Sequence, residues 1–111
     1  MEFLITAKKL SEFIKTLEGA NSVIILLILD KLGRASSFAI YRELAKEGIA
    51  YLSTSSIKTR LDDLISQGMV TFDELEGRRA KRVYYLTKKG QRFVKVIKKF
   101  LRDLENEFKM G

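Results

Sequence analysis

Residues 52–90 read LSTSSIKTRLDDLISQGMVTFDELEGRRAKRVYYLTKKG, and the apolar period changes twice within them. From Ser53 or Thr54 to Gly68, residues Ile57, Leu61, Leu64 and Ile65 recur at helical spacing and share one face at about 100° per residue. Ser55, Ser56, Thr59, Asp62 and Asp63 fall on the opposite face, with Lys58 and Arg60 on its flanks. The helical spacing then stops. Met69-Val70-Thr71-Phe72 and Arg82-Val83-Tyr84-Tyr85-Leu86 are β-branched and aromatic runs, so Glu76–Lys81 between them predicts an antiparallel hairpin with a basic tip. From about Lys88 to Met110 the helical period returns, over roughly 20 residues and some 30 Å.

Working upstream, Leu10, Phe13, Ile14 and Leu17 predict an amphipathic helix over about Ile5–Leu17. Asn21–Leu32 is apolar on all sides, the mark of a helix surrounded by protein. Ser36 or Ser37 is expected to cap a third helix running to about Glu47, with Phe38, Tyr41, Leu44 and Ala45 inward. Proline is absent, so Gly19, Gly33, Gly48, Gly68, Gly77 and Gly90 are the expected element boundaries. The expected fold is mainly α with a small β-hairpin, in one domain over 1–111. Its parts are an N-terminal helix in 1–19, a core in 20–87 and a C-terminal dimerisation helix in 88–111.

Composition narrows the chemistry. The 111 residues contain no Cys and no His, which removes disulfides, thiolate and imidazole metal ligation, Cys nucleophiles and His acid–base catalysis. No metal or cofactor is expected. The adjacent pairs Asp62/Asp63 and Asp73/Glu74 are poor catalytic candidates, because neighbours diverge on a helix and oppose each other on a strand. No enzymatic activity is expected. The longest apolar run, Val23–Leu29, is far shorter than the roughly 20 residues of a membrane span. The opening Met1–Lys9 lacks the basic-then-apolar order of a signal peptide, so the expected location is the cytoplasm, at the nucleoid.

Charge points to a partner. The chain carries a net +7, yet residues 76–102 alone hold eleven Lys and Arg against the single acid Glu76. That concentration of positive charge in one quarter of the chain fits a polyanion, nucleic acid before anionic membrane.

The order of helices, hairpin and long last helix resembles the winged helix-turn-helix transcription regulators, in particular the MarR-like and PadR-like groups and small archaeal and archaeal-virus relatives. The resemblance covers about residues 21–100 and rests on Leu52–Leu64, Gly68-Met69-Val70 and Tyr85-Leu86-Thr87-Lys88-Lys89-Gly90. It implies that the helix at about 53–67 makes the base contacts and that the hairpin, the wing, lies along a neighbouring groove.

The residues support the same expectation independently. A small, hydroxyl-rich helix surface enters a major groove closely, and flanking cations reach phosphate or guanine. The candidate contacts to double-stranded DNA are Ser55, Ser56, Lys58, Thr59 and Arg60 on the helix and Arg78, Arg79, Lys81 and Arg82 on the wing, against backbone or minor groove. Hydroxyls also gather where they cap helices, a basic tip also solubilises, and Arg82 also has Asp73 and Glu74 within reach across the hairpin. Asp62 and Asp63 are expected beyond the groove. On the last helix Phe93, Val94, Ile97, Phe100, Leu101, Leu104 and Phe108 form one apolar face, opposite Arg92, Lys95, Lys98, Lys99 and Arg102. With Leu10, Phe13 and Leu17, that face predicts a two-fold homodimer.

The expected function is duplex DNA binding by a homodimer, sequence-tolerant or site-specific, as a transcriptional regulator. The alternatives are an abundant nucleoid or chromatin protein, a winged-helix module that binds protein rather than DNA, and, less favoured, membrane-surface binding by the basic last helix. A small-molecule effector is left open.

Overall fold

A computed structural model of the chain describes residue 8 and residues 20–49, 52–77 and 81–107. The helix expected at Ile5–Leu17, the wing-tip residues Arg78 and Arg79, and Phe108 lie outside them. Four helices and three short strands make up the described part: α1 Ala20–Leu32, β1 Arg34–Ala35, α2 Ser37–Lys46, α3 Thr54–Ser66, β2 Val70–Leu75, β3 Lys81–Leu86 and α4 Lys88–Glu107.

The all-apolar helix α1 is the centre of the core. Ile25, Leu26 and Leu29 are fully buried, and α2, α3, α4 and the sheet all pack on this helix. Only partners on every side keep so many aliphatic side chains from water.

Helix α2 starts at Ser36, whose hydroxyl accepts from the Ala39 amide at 3.1 Å. It buries Ile40 and Leu44. The sequence spacing predicts Phe38 and Ala45 inward, whereas both are exposed, Phe38 at 58%. The spacing 38-41-44-45 is as helical as 40-44, but a residue two positions from Ile40 is rotated by about 200°. Once Ile40 faces α1 and α3, Phe38 faces out.

Helix α3 begins at the Ser53 cap, whose hydroxyl accepts from the Ser56 amide at 3.1 Å, and it buries Ile57, Leu61 and Leu64 completely. Gly68, at φ +77°, closes it: the Gly68 amide donates to the Ile65 carbonyl at 2.9 Å and the Met69 amide to that of Leu64 at 2.9 Å. This left-handed residue reverses the chain and drops Met69 into the core.

Where a two-stranded hairpin was expected there is a three-stranded antiparallel sheet, ordered β1-β3-β2. β2 and β3 pair from Val70↔Leu86 to Leu75↔Lys81, so Met69 precedes the strand and Lys81 belongs to it rather than to the tip. On the other edge of β3, Arg34 and Ala35 pair with Tyr85 and Tyr84. Two residues are too few to show an alternation, and β1 exists because β3 offers unpaired backbone groups beside the end of α1.

Thr87 joins the sheet to α4. Its amide donates to the Met69 carbonyl at 3.0 Å, its hydroxyl donates to the Gly68 carbonyl at 2.6 Å, and the same hydroxyl accepts from the Gly90 amide at 3.0 Å. Lys89 Nζ adds a bond to the Gln67 carbonyl at 2.9 Å. This clamp brings Gly90 so near Met69 that a Cβ there would sit 2.1 Å from the Met69 carbonyl oxygen. Val94 is buried below it and Phe93 and Ile97 half-buried, while residues 98–107 are exposed. The described residues therefore span 55 × 33 × 20 Å, with α4 overhanging the core.

Candidate nucleic-acid interface

The outward side of α3 is built on its own cap. Ser53 Oγ lies 3.1 Å from Ser55 Oγ and donates to Ser56 Oγ at 3.0 Å, and Thr59 Oγ1 donates to the Ser55 carbonyl at 3.1 Å. Ser55, Ser56, Lys58 and Thr59 are all exposed along one ridge. Such hydroxyls exchange partners at little cost, since the bonds they make here are already open to water. Arg60 differs: its side chain is 22% exposed and is held at 3.4 Å from Asp63, along the helix rather than away from it.

Asp62 is exposed and looks toward the wing. Arg82 Nη1 is 4.0 Å from Asp62, and Arg82 Nε is 3.6 Å from Glu74, its register partner on β2. The same guanidinium lies over the Phe72 ring, 4.2 Å from its centroid. Arg82 thus spans from wing to α3 with its charge already met. The other acid within its expected reach, Asp73, is engaged with Arg34, which covers the Tyr85 ring at 4.4 Å, and it also accepts from the Tyr85 hydroxyl at 3.4 Å. Neither Lys58 nor Lys81 faces an acid among the described residues.

Between α2, α3 and strand β3 of the wing lies a cleft of about 360 Å3, lined by Ser36, Ser37, Phe38, Lys58, Lys81, Arg82 and Tyr84. Of the sequence-derived DNA candidates, the structure brings Lys58, Lys81 and Arg82 together there. Ser55, Ser56 and Thr59 follow along the ridge of α3, and Ser56, Thr59 and Arg60 border a second hollow with Asn21 and Leu52. Sequence reasoning missed Ser36, Ser37 and Phe38, because it treated the start of α2 only as a cap and a core contact.

Of the dimer candidates, Phe93 and Ile97 are half-buried against the core, while Phe100, Leu101 and Leu104 are 56%, 41% and 42% exposed. Val96, at 59%, was not singled out from the sequence. Lys98, expected opposite the apolar face, reaches back to pair with Asp30 on α1. One turn beyond Val94, it falls on the side of α4 that packs on the core. Leu10, Phe13 and Leu17 lie outside the described residues. Among the described residues no cluster of three or more acids could hold a metal ion, and no helix is long and apolar enough to cross a membrane.

No family model matches the sequence, and no curated protein resembles it closely enough to count as a relative. Solved structures do. Bacillus subtilis PadR in complex with operator DNA is 27% identical with a TM-score of 0.57; the match covers 66% of this chain and 43% of that one. A PadR-family transcriptional regulator from Eggerthella lenta is similar over nearly the whole length, at 20% identity and a TM-score of 0.68, covering 94% and 92% of the two chains. The reduced form of the B. subtilis transcriptional regulator YodB is 21% identical with a TM-score of 0.72, covering 93% and 95%. The chain has the winged-helix fold of PadR-type regulators: α2 and α3 form its helix-turn-helix, and β2 and β3 form its wing.

Proposed function

We propose that this chain is a transcriptional regulator that binds duplex DNA as a homodimer, with α3 in the major groove and the wing, residues 76–82, on the adjacent backbone or minor groove. The observation that carries the reading is the ridge of exposed hydroxyls on α3 flanked by Lys58 and Lys81, cations that no acid among the described residues neutralises. The likeness to a PadR bound to operator DNA supports it. In this arrangement Ser55, Ser56 and Thr59 approach base edges and phosphates, Lys58 and Lys81 neutralise phosphates, and Arg78 and Arg79 extend the contact at the wing tip. Arg60 and Arg82 position rather than bind, since each spends its charge on an acid of the protein itself.

Dimerisation follows from α4. Phe100, Leu101 and Leu104 on one exposed helix are a costly surface to leave in water, worth roughly 1.5–3 kcal/mol per side chain once buried. A second copy related by a two-fold axis covers this face and sets two α3 helices against half-sites one helical turn, roughly 34–36 Å, apart.

Fluorescence anisotropy of a labelled mixed-sequence duplex, titrated at several salt concentrations, tests the reading. The affinity is expected to fall steeply with salt. The variant carrying Arg78→Ala and Arg79→Ala is expected to show a slope shallower by about 0.9 for each phosphate that it no longer neutralises. No binding at low salt would overturn the DNA reading and leave the fold as a platform for an acidic protein. Equal affinity for every duplex would make the protein an architectural one rather than a site-specific regulator.

A further inference from the structure

The cleft between α2, α3 and the wing contains a feature that the helix-turn-helix reading does not use. Phe38 stands at its wall, 58% exposed, one of the most exposed large apolar side chains among the described residues. Its ring is backed by Tyr41, with centroids 6.3 Å apart and planes 23° from parallel, so the exposed ring rests on a second ring that is itself half-buried. Lys58 and Lys81, which have no acidic partner among the described residues, line the same cleft, together with Arg82, already turned to Glu74 and Asp62. An exposed aromatic ring and two uncompensated cations lining one opening of about 360 Å3 match a chain that alternates anionic and apolar groups.

We infer that this cleft seats the sugar–phosphate backbone of one DNA strand, with Lys58 and Lys81 on a phosphate and Phe38 packed against the neighbouring deoxyribose or base edge. The inference rests on the DNA-binding reading and adds to it a contact that is apolar. The occupant is fixed by charge and continuity: the two lysines project from α3 and from the wing strand β3, the elements that flank a bound duplex in that reading. A wholly anionic ligand would gain nothing from Phe38, and an apolar one would leave the two lysines desolvated and unpaired.

An apolar contact and a phosphate contact leave different signatures in salt. Neutralising a phosphate releases counterions and sets the slope of log affinity against log salt, whereas burying a ring changes affinity at every salt concentration equally. In anisotropy titrations, Phe38→Ala is expected to bind duplex roughly tenfold more weakly with an unchanged slope, as partial burial of one aromatic ring would give. Phe38→Leu is expected to retain most of the affinity. Lys81→Ala is expected to shallow the slope by about 0.9. Because Phe38 is exposed, the thermal midpoint of Phe38→Ala should stay at that of the unsubstituted protein, which separates weakened DNA packing from a damaged fold. Undiminished binding by Phe38→Ala, or weaker binding accompanied by a shallower slope, overturns the seat while leaving DNA binding intact. Failure of the unsubstituted protein to bind duplex overturns both.

Discussion

At the scale of single residues, Gly90 and Arg82 illustrate two ways in which a side chain's surroundings outrank its type. Gly90 has an ordinary helical backbone, and its requirement for a hydrogen in place of a methyl comes entirely from the Met69 carbonyl, held in place by the Thr87 amide. Backbone cannot swing aside as a flexible side chain can. Gly90→Ala is therefore expected to cost about 3 kcal/mol, beyond what its better helix propensity returns, and to lower the thermal midpoint by about 10 °C or more in a calorimetric scan. An unchanged midpoint would mean that α4 does not enter the fold through this clamp. Arg82 looks from its neighbours in sequence like one more wing cation, yet Glu74, Asp62 and the Phe72 ring surround its guanidinium.

At the scale of elements, capping and ion pairing decide how helices meet. Ser36 and Ser53 each satisfy an amide at a helix start, and both were legible because a serine ahead of an apolar period is a recognisable beginning. The tie between α1 and α2 was not. Lys31, in the last turn of α1, contacts Glu43 at 2.6 Å and Glu47 at 2.9 Å on α2, where the Glu43 side chain is only 12% exposed. The hydrogen bond from Lys31 holds the Glu43 carboxyl below its ordinary value near 4.5, against the opposing effect of burial, and Glu43 in turn raises the lysine well above its usual range. A carboxylate whose folded pKa is depressed contributes stability above its unfolded pKa and loses it as pH falls through the folded value. The cluster should therefore stabilise the fold at neutral pH and cease to do so in acid. In urea titrations at a series of pH values, Lys31→Gln is expected to be less stable than the unsubstituted protein at neutral pH, with the difference shrinking as the pH falls below about 4.5 and closing once it has passed through the depressed value of Glu43. A difference that persists undiminished in acid would assign the effect to packing of the lysine stem instead.

At the scale of the whole molecule, the overhang of α4 dominates. The first half of the helix is anchored by the Thr87 clamp, Val94 and the Lys98–Asp30 pair, and the second half carries Phe100, Leu101 and Leu104 beyond the core. In a two-fold interface each substitution occurs twice. Leu104→Lys is thus expected to weaken dimerisation by about a hundredfold or more, read by sedimentation equilibrium, without lowering the thermal midpoint measured where both proteins are monomeric. A protein that sediments as a monomer with Leu104 intact would refute the dimer and with it the expectation of two half-sites one helical turn apart.

The helix, hairpin and helix of residues 52–107, the central place of α1 and the basic character of the wing were all determined by the sequence alone, because each depends on periodicity, capping or charge count, which are local properties of the chain. Tertiary structure decided the rest. Strand β1 required the free edge of β3; the outward turn of Phe38 required Ile40 to be taken by the core; the tie of Arg82 to α3 required Asp62 to arrive from another element, beside the Glu74 that the hairpin already brought within reach. Each of these joins residues distant along the chain, and a one-dimensional pattern records which residues are apolar or charged without recording which of several equivalent faces the rest of the molecule will cover.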